Sequence, residues 1–220
     1  NYNDPAFDET AKYGRNYYFP NGYLKNVKTA GYFIYRRPHN WYSSYEGDEM
    51  NLFGDYDFTF KLPPVPFEGD YQIRLGFASE PTRGIGQIYF DDEPQGIPLD
   101  MTKNLDDPTI LGTAFRNDYT TAMSSEEKLE ERKALKNKGY YRGAAGGYRL
   151  DGSRHIIFAN SVETYRIVLC TVHIKPDKDH FLRFRNVSDN GSTEFMLDYL
   201  EIVPKSVYGV TDEGEQEDDL

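Results

Sequence analysis

The chain has little cysteine, little tryptophan and no long apolar run. Its 220 residues contain one cysteine and one tryptophan, so no disulfide can form within the chain. The cysteine, Cys170, lies in the apolar segment RIVLCTVHI, which favours a buried thiol over a reactive one. No apolar stretch approaches the roughly 20 residues of a membrane-spanning helix. Since a chain of this length buries a sizeable core, we expect a domain that folds without covalent cross-links.

Basic residues are also under-represented. The chain carries 25 Lys and Arg against 36 Asp and Glu, which gives a formal net charge of −11. This balance disfavours nucleic acids and anionic membranes as partners, because both repel an acidic protein. The closing segment TDEGEQEDDL has no core-forming pattern and predicts a solvated acidic tail.

Catalytic signatures are missing from the sequence as well. It contains no Gly-x-Ser-x-Gly elbow, no phosphate-binding glycine loop and no dinucleotide fingerprint. Adjacent carboxylates such as Asp91 and Asp92 lack the separation across a cleft that glycoside hydrolysis requires. No His or Cys spacing predicts a zinc site. We therefore expect a protein that is not an enzyme and that uses no cofactor.

Tyrosine and phenylalanine are abundant, with 19 and 14 residues. Aromatic rings suit the pleated surface of strands, and tyrosine also suits binding surfaces. Apolar and polar residues alternate over several segments, with the period of a strand that buries one face. The predicted strands are residues 29–37, 56–62, 71–77, 85–90, 155–158, 165–174, 181–185 and 195–203.

Two of these strands carry more specific expectations. In the strand 85–90 we expect Ile85 and Tyr89 to face inward, and Asp91–Pro94 to form the turn that ends it. The strand 195–203 has apolar residues at both its odd and its even positions, which predicts a central strand covered on both faces. Asp198 in that strand then needs a buried hydrogen-bond partner.

A helix is predicted within a long insertion after the first strands. Ser124 and Glu127 have the S-x-x-E spacing of a capping box, and Gly139 stands where a left-handed cap is expected. The apolar stripe between them is thin. We therefore expect a surface helix near residues 125–138, followed by a glycine-rich loop.

Short strands separated by turns, with one inserted helix, indicate an all-β antiparallel sandwich. The segment before it has turn signals and no sustained periodicity. We expect an irregular, tyrosine-rich lead-in over residues 1–26, a sandwich domain over 27–208 and the acidic tail over 209–220.

Several segments resemble known families. The stretch HFLRFRNVSDNGSTEFMLDYLEIVP resembles the last hairpin of galactose-binding-like jelly rolls, the architecture of many carbohydrate-binding modules. The combination GIGQIYFDDEPQGIPLD, RKALKNKGYYRG and TEFMLDYLEIVPKSVYG is similar to a C-terminal domain of Bacteroidetes fasciclin-associated surface lipoproteins. These resemblances imply a jelly-roll β-sandwich, export to the cell surface or outer membrane, and glycan binding. Fold by itself does not carry function.

The resemblance also raises the question of a structural Ca²⁺, which many such jelly rolls hold with several oxygen ligands. Asp198 matches the aspartate of the family's last strand. The glutamate pair expected near the family's first strand is not recognisable in this sequence. A hydrogen-bonded, buried Asp198 is therefore the favoured interpretation, and we predict no metal site.

Two aromatic segments are the predicted ligand-binding sites. Their residues are Asn40, Trp41, Tyr42 and Tyr45 in the first, and Tyr140, Tyr141, Arg142 and Tyr148 around the glycine-rich insertion loop in the second. Aromatic rings pack against the flat C–H faces of sugars, while amides and guanidinium groups bind the hydroxyls. The structural alternative is that Trp41 fills the core edge and that the tyrosines cover neighbouring elements.

The expected function is that of a non-catalytic cell-surface binding module whose partner is an extracellular glycan. The alternative is an adhesion or assembly module that contacts neighbouring surface-protein subunits through the lead-in and the acidic surface. A glycan site needs a concave surface with exposed rings, whereas an assembly module needs a broader and flatter apolar patch.

Overall fold

The computed structural model describes residues 24–35, 49–77, 82–103, 107–109, 124–142, 147–150, 156–159, 165–197, 199–208, 210–211 and 214–215. The strands are β1 Leu24–Lys28, β2 Gly31–Tyr35, β3 Glu49–Phe53, β4 Asp57–Lys61, β5 Gly69–Phe77, β6 Ile85–Phe90, β7 Glu93–Asp100, β8 Tyr140–Arg142, β9 Gly147–Leu150, β10 Ile156–Ala159, β11 Tyr165–Ile174, β12 Phe181–Asn186, β13 Glu194–Leu197, β14 Tyr199–Pro204, β15 Val210–Thr211 and β16 Gly214–Glu215. The helices are α1 Ser125–Lys136 and α2 Lys205–Tyr208.

The strands form antiparallel sheets, and several of the paired strands are far apart in the sequence. A five-stranded sheet has the order β1-β4-β12-β6-β7, and a four-stranded sheet has the order β14-β5-β11-β8. A three-stranded sheet, β13-β3-β2, and the two pairs β9–β10 and β15–β16 complete the described pairings. The prediction of an all-β antiparallel sandwich with an inserted helix is confirmed. Among the described residues, no helix is long and apolar enough to cross a bilayer.

Aromatic rings from different sheets meet in one core. Phe58 of β4 stacks on Phe184 of β12 with ring centroids 5.4 Å apart. Phe195 of β13 reaches both rings, at 5.0 Å and 4.7 Å. All three side chains are fully buried, and each contributes roughly 1.5–3 kcal/mol by leaving water. This core explains how the domain folds without a disulfide. Cys170 is buried at its edge as a free thiol, as the sequence predicted.

Strand β5 is covered on both faces. Tyr71, Ile73 and Leu75 enter the core, which confirms the predicted alternation. The other face is buried too, because Arg74 is fully buried and Gly76 lies beneath the ring of Tyr199. A Cβ at Gly76 would come within 2.4 Å of that ring, so this position has no room for a larger residue. The expectation that β5 has a single buried face is therefore wrong.

The inward face of β6 is the opposite of the predicted one. Gly86, Ile88 and Phe90 are buried, while Ile85 and Tyr89 are half-buried on the outer side. Both parities of this strand carry apolar residues, so alternation alone could not choose between them. The pairing with β12 decides the face, because each residue of β6 shares its side of the sheet with its partner on β12.

The turn after β6 is a two-residue hairpin. Asp91 and Asp92 have positive φ angles of 48° and 69°, as a type I′ turn requires. Strand β7 starts immediately afterwards, and Pro94 pairs with Tyr89 inside it. The expectation that Pro94 ends the ladder is wrong, because β7 is an edge strand and an edge strand tolerates proline.

Asp91 joins this hairpin to β12. Its carboxylate accepts hydrogen bonds from the Phe181 amide at 2.9 Å, from His180 Nδ1 at 2.7 Å and from Lys178 Nζ at 3.3 Å. Because His180 Nε2 accepts the Lys175 amide, its Nδ1 carries the proton given to Asp91. Burial raises the pKa of Asp91, but the three hydrogen bonds outweigh it and hold that pKa below its ordinary value.

Helix α1 begins at the predicted residue and ends at Lys136, two residues before the predicted end. Ser124 and Glu127 form the reciprocal capping box, and Gly139 has a φ of 80° after the last turn. Leu135 is buried against the sandwich, whereas Leu129 is exposed, so the helix lies on the surface. It packs against β8, which is one of the two edge strands of the four-stranded sheet.

Several segments differ from the predicted elements. Residues 140–142 form β8 rather than part of a loop, and β9 pairs with β10. The predicted strand 195–203 is divided into β13 and β14, which belong to different sheets. Asp198 between them lies outside the described residues, so its partner stays a prediction. Strand β1 includes residues 24–26 of the expected lead-in, and β15 and β16 pair within the expected tail.

We predict that Asp91→Asn lowers the free energy of unfolding by about 1–3 kcal/mol, because it removes the carboxylate that ties β6 to β12. Asn tolerates a positive φ as well as Asp does, so the turn itself is kept. Asp92→Asn is the matched control: it has the same turn geometry, and its exposed side chain makes none of these bonds. Urea unfolding midpoints measure both variants. Equal midpoints for the two variants would contradict the role given to Asp91.

Candidate functional site

The first predicted site cannot be placed. Asn40, Trp41, Tyr42 and Tyr45 lie outside the described residues, so their role stays a prediction.

The second predicted site is divided between two sheets. Tyr140 is a core residue that is 8% exposed, so it is not presented to a ligand at the surface. Tyr141 is half-buried on β8, and Arg142 ends that strand opposite Tyr165. Tyr148 lies on β9 opposite Phe158, in a separate two-stranded sheet. Of these four residues, Tyr141 is the one whose ring contacts a cluster of charged side chains.

That cluster, here called the arginine cluster, consists of Arg74, Arg166, Glu201 and Tyr141. Strand pairing places Tyr141 opposite Arg166 on β11, and Glu201 of β14 opposite Arg74 on β5. The Arg74 guanidinium lies 4.0 Å from the centroid of the Tyr141 ring, and that of Arg166 lies 5.4 Å from it. Both distances are within the range of a cation–π interaction.

Glu201 supplies the negative charge of the arginine cluster. Its carboxylate accepts from Arg166 Nη1 at 3.3 Å and lies 3.7 Å from Arg74 Nη1. Gln72 holds Arg74 from the other side, accepting at 2.8 Å from Nη2. Both arginines are almost fully buried, so these bonds place a carboxylate and an amide oxygen beside two charges at low dielectric. The arginine cluster thus joins side chains from all four strands of the sheet, β14, β5, β11 and β8.

The outer face of the five-stranded sheet is a second polar surface, and its side chains are partly exposed. We define it as Lys25, Asp57, Thr59, Lys61, Gln87, Tyr89, Phe181, Arg183 and Arg185. Burial alternates along β4, β6 and β12, so these residues point away from the core. Strand pairing orders them in rows across the sheet, one of which runs from Lys25 through Thr59 and Arg183 to Tyr89.

Arg183 is fixed on the outer face by an ion pair. Its Nε and Nη2 donate to the two oxygens of Asp57 at 2.7 Å and 2.6 Å, in a bidentate pair. The hydrogen bond that Arg183 donates to Asp57 also holds the pKa of Arg183 above its ordinary value. The guanidinium lies 5.2 Å from the centroid of the Tyr89 ring. Since a guanidinium has five N–H donors, three remain available for another group.

Phe181 gives the outer face a second aromatic ring. Lys25 Nζ lies 4.6 Å from its centroid. Phe181 and Arg183 are two residues apart on β12, so both stand on the same side of the sheet. The face thus combines flat apolar groups with hydrogen-bond donors and acceptors, and rigid strands hold them all.

A third group of charges lies at the beginning of β5 and the end of β11. His173 contacts Asp70 through Nδ1 at 3.0 Å and Glu68 through Nε2 at 3.1 Å. Lys175 and Lys205 lie 3.7 Å and 3.8 Å from these carboxylates. The hydrogen bond to Asp70, then that to Glu68, raises the pKa of His173, and the pKa of each carboxyl is lowered in return.

Neither thiol chemistry nor a metal centre is indicated by the described part of the chain. Burial raises the pKa of Cys170 to about 12, so its thiol stays protonated and unreactive near neutral pH. The described side chains form no group of three or more His, Cys, Asp or Glu that could hold a metal ion.

Sequence reasoning missed the outer face. Asp57 and Arg183 are 126 positions apart, so nothing local predicts their pairing. The available signal was the alternation in FLRFRN, which places Arg183 and Arg185 on the side of the strand that faces away from the core. Tyr89 was missed because the wrong face of β6 was expected to be buried.

Comparisons with known proteins assign no family. No family model matches the chain, and no curated protein matches it. Among solved structures, it is similar to a xanthan lyase of Paenibacillus, with a TM-score of 0.46 and 12% sequence identity over 82% of this chain. The chain spans 12% of the length of that lyase. This similarity is too weak to assign a family or a function.

We predict that Glu201→Gln lowers the free energy of unfolding by about 3 kcal/mol, because it leaves two buried guanidinium groups without their shared carboxylate. The matched control is Glu130→Gln on α1, whose carboxylate is 76% exposed and lies 3.7 Å from Lys133. That variant should stay within about 0.5 kcal/mol of the parent protein. Denaturant titration compares them. A Glu201 variant as stable as the control would show that the cluster does not support the fold.

We predict a pH-dependent effect for His173→Gln. A raised histidine pKa stabilises the fold at pH values below 6.5, and this contribution is lost as the pH rises through the folded-state value. The partner carboxylates, Asp70 and Glu68, stabilise the fold at pH values above their ordinary pKa values of 3.8 and 4.5. The melting temperature of the variant should therefore fall below that of the parent near pH 5.5 and approach it near pH 8.5. Lys175→Gln, which removes no group titrating in this range, should show a constant difference.

Proposed function

We propose that this chain is a non-catalytic binding module exposed at the cell surface, and that its ligand is an extracellular glycan. The observation that carries the proposal is the outer face, where the rings of Tyr89 and Phe181 stand beside the bidentate pair of Arg183 and Asp57. Flat apolar groups next to fixed polar groups are what a sugar requires, because its rings have apolar C–H faces and a rim of hydroxyls.

The proposed contacts use groups that the fold already holds in place. A sugar ring packs along the edge shared by the Tyr89 ring and the Arg183 guanidinium. Its hydroxyls accept from the remaining N–H donors of Arg183 and donate to the free lone pairs of Asp57. Because Asp57 already fixes the guanidinium, little side-chain entropy is lost on binding.

The family and the location rest on the sequence resemblance. Similarity to galactose-binding-like jelly rolls and to exported Bacteroidetes surface proteins supports both a glycan ligand and an exported domain. The aromatic segment around Trp41 remains a second predicted contact region, outside the described residues. In this proposal the domain performs no chemistry on its ligand.

The assembly alternative receives less support. Among the described residues, the large apolar side chains that are exposed are Phe67, Ile97, Leu129, Val187 and Val207. Each of them lies on a different element or loop, so no single described strand or helix presents an apolar stripe to a protein partner.

A glycan array followed by titration calorimetry tests the proposal. We predict that Tyr89→Ala costs about 1–3 kcal/mol of binding free energy, as loss of an anchoring ring does. Phe67→Ala is the matched control, because Phe67 is an exposed ring that packs on Tyr71 of β5, in the other large sheet. Circular dichroism of both variants confirms that they remain folded.

Two outcomes separate the site from the function. If Trp41→Ala abolishes binding while Tyr89→Ala does not, a glycan is bound at the first aromatic segment and the outer face is not the site. A blank array with a folded protein would contradict glycan binding and would favour the assembly alternative.

A further inference from the structure

The loop that joins β12 to β13 contains an exposed Asn–Gly pair. Residues 187–193 form this loop, and Asn190 and Gly191 lie in its exposed part. A main-chain amide that follows an asparagine can attack the side-chain carbonyl and close a five-membered ring. Glycine makes this attack easiest, because no Cβ shields its nitrogen and its backbone adopts many conformations. The pair is therefore a candidate for a spontaneous chemical modification.

The fold prepares the side-chain carbonyl of Asn190 for this attack. Asn190 Oδ1 accepts a hydrogen bond from the Ser192 amide at 3.0 Å. Negative charge develops on Oδ1 when a nucleophile adds to Cγ, and a donor that is already directed at this oxygen stabilises that charge. The same hydrogen bond folds the Asn190 side chain toward the residues that follow it, where the Gly191 nitrogen lies.

The attacking nitrogen is accessible as well. Within the described ranges, no acceptor binds the Gly191 amide hydrogen. A Cβ built at Gly191 would meet nothing within 4 Å, so the space around this residue is open. Water can therefore take the amide proton, and the nitrogen can move toward Asn190 Cγ without displacing a packed group.

Asn186, the last residue of β12, provides an internal comparison. Its Oδ1 also accepts from the amide two residues later, that of Ser188, at 3.2 Å. However, Asn186 is buried, and the amide that would attack it, Val187 N, donates to Ile85 O at 2.9 Å. Val187 is also β-branched, which crowds its nitrogen. The two asparagines thus share a polarised carbonyl and differ in the nucleophile that follows.

We propose that Asn190 is a site of spontaneous deamidation that the folded sandwich tolerates. The Gly191 nitrogen, after losing its proton to water, forms a bond to Asn190 Cγ, and the bond from Cγ to Nδ2 breaks. Nδ2 takes up a proton and leaves as ammonia, which gives a succinimide. Water then opens the ring at Cγ, which yields aspartate, or at the main-chain carbonyl, which yields isoaspartate. Overall, one water is consumed and one ammonia is released, without oxidation or reduction.

The sandwich tolerates the product because both ends of the loop are anchored. At the β12 end, Asn186 N donates to Tyr56 O at 2.8 Å. At the β13 end, the carbonyl of the buried Thr193 accepts from Gly54 N at 2.7 Å, and its Oγ1 donates to Gly54 O at 3.0 Å. The new negative charge, and the extra main-chain carbon of isoaspartate, fall on the residues between these anchors. The reaction needs no ligand and is independent of the proposed function.

Incubation of the full chain in mildly alkaline buffer, followed by tryptic digestion and mass spectrometry, tests the proposal. Cleavage after Arg185 and Lys205 releases one peptide that contains both Asn186 and Asn190, so fragment spectra compare their conversion directly. Asn190 should become a mixture of aspartate and isoaspartate about tenfold or more faster than Asn186 is converted. Gly191→Ala should slow the conversion of Asn190 about tenfold, because the added Cβ crowds the nitrogen while fitting the open space.

Four outcomes would overturn the proposal. Equal conversion of Asn186 and Asn190, or a Gly191→Ala variant that reacts as fast as the parent, would show that the following amide is not the nucleophile. Aspartate without isoaspartate would exclude the succinimide. Conversion that occurs only in urea would show that the fold protects the loop.

The variant Asn190→Asp tests the tolerance of the fold, because it carries the charge of the product. Its melting temperature should stay within about 2 °C of that of the parent protein. A larger fall would contradict the tolerance that we propose. The other Asn–Gly pair of the sequence, residues 21–22, lies outside the described residues and on a different tryptic peptide, so its conversion is scored separately.

Discussion

The contact on which the rest of the structure depends is the interleaving of Phe58, Phe184 and Phe195. These rings fix which parity of β4 and β12 faces the core. Asp57 and Arg183 directly precede two of these rings in β4 and β12, so their side chains point to the outer side of the sheet. A register shift of one residue would bury this charged pair and expose the rings, so the core and the outer face specify each other.

The arginines on the outer sides of the two large sheets differ in their exposure to solvent. In the four-stranded sheet, Arg74 and Arg166 are almost fully buried beneath Tyr141, and the Glu201 carboxylate contacts both of them. In the five-stranded sheet, a third of the Arg183 side chain remains accessible. The same chemistry, a guanidinium with a ring and a carboxylate, supports packing in one sheet and leaves donors available to a ligand in the other.

The strands of the core were predictable because they alternate cleanly. The segment 165–174 was predicted with its observed bounds, and the capping residues located α1. The buried face was predicted wrongly in β6, where alternate positions on both sides of the strand are apolar. The strand itself was missed in β8, which is too short to show a period. The outer face was not predictable as a site, because it is assembled from strands that become neighbours through folding alone.

The edge strand β7 has a consequence for self-association. Pro94 and Pro98 have no amide hydrogen to offer, and Gly96, with a φ of 57°, interrupts the extended backbone between them. A strand from a second molecule would therefore find an irregular row of donors and could not extend the ladder along β7. The polar sheet that is proposed to meet a polysaccharide is in this way protected, on that side, against growing into an aggregate at high local concentration.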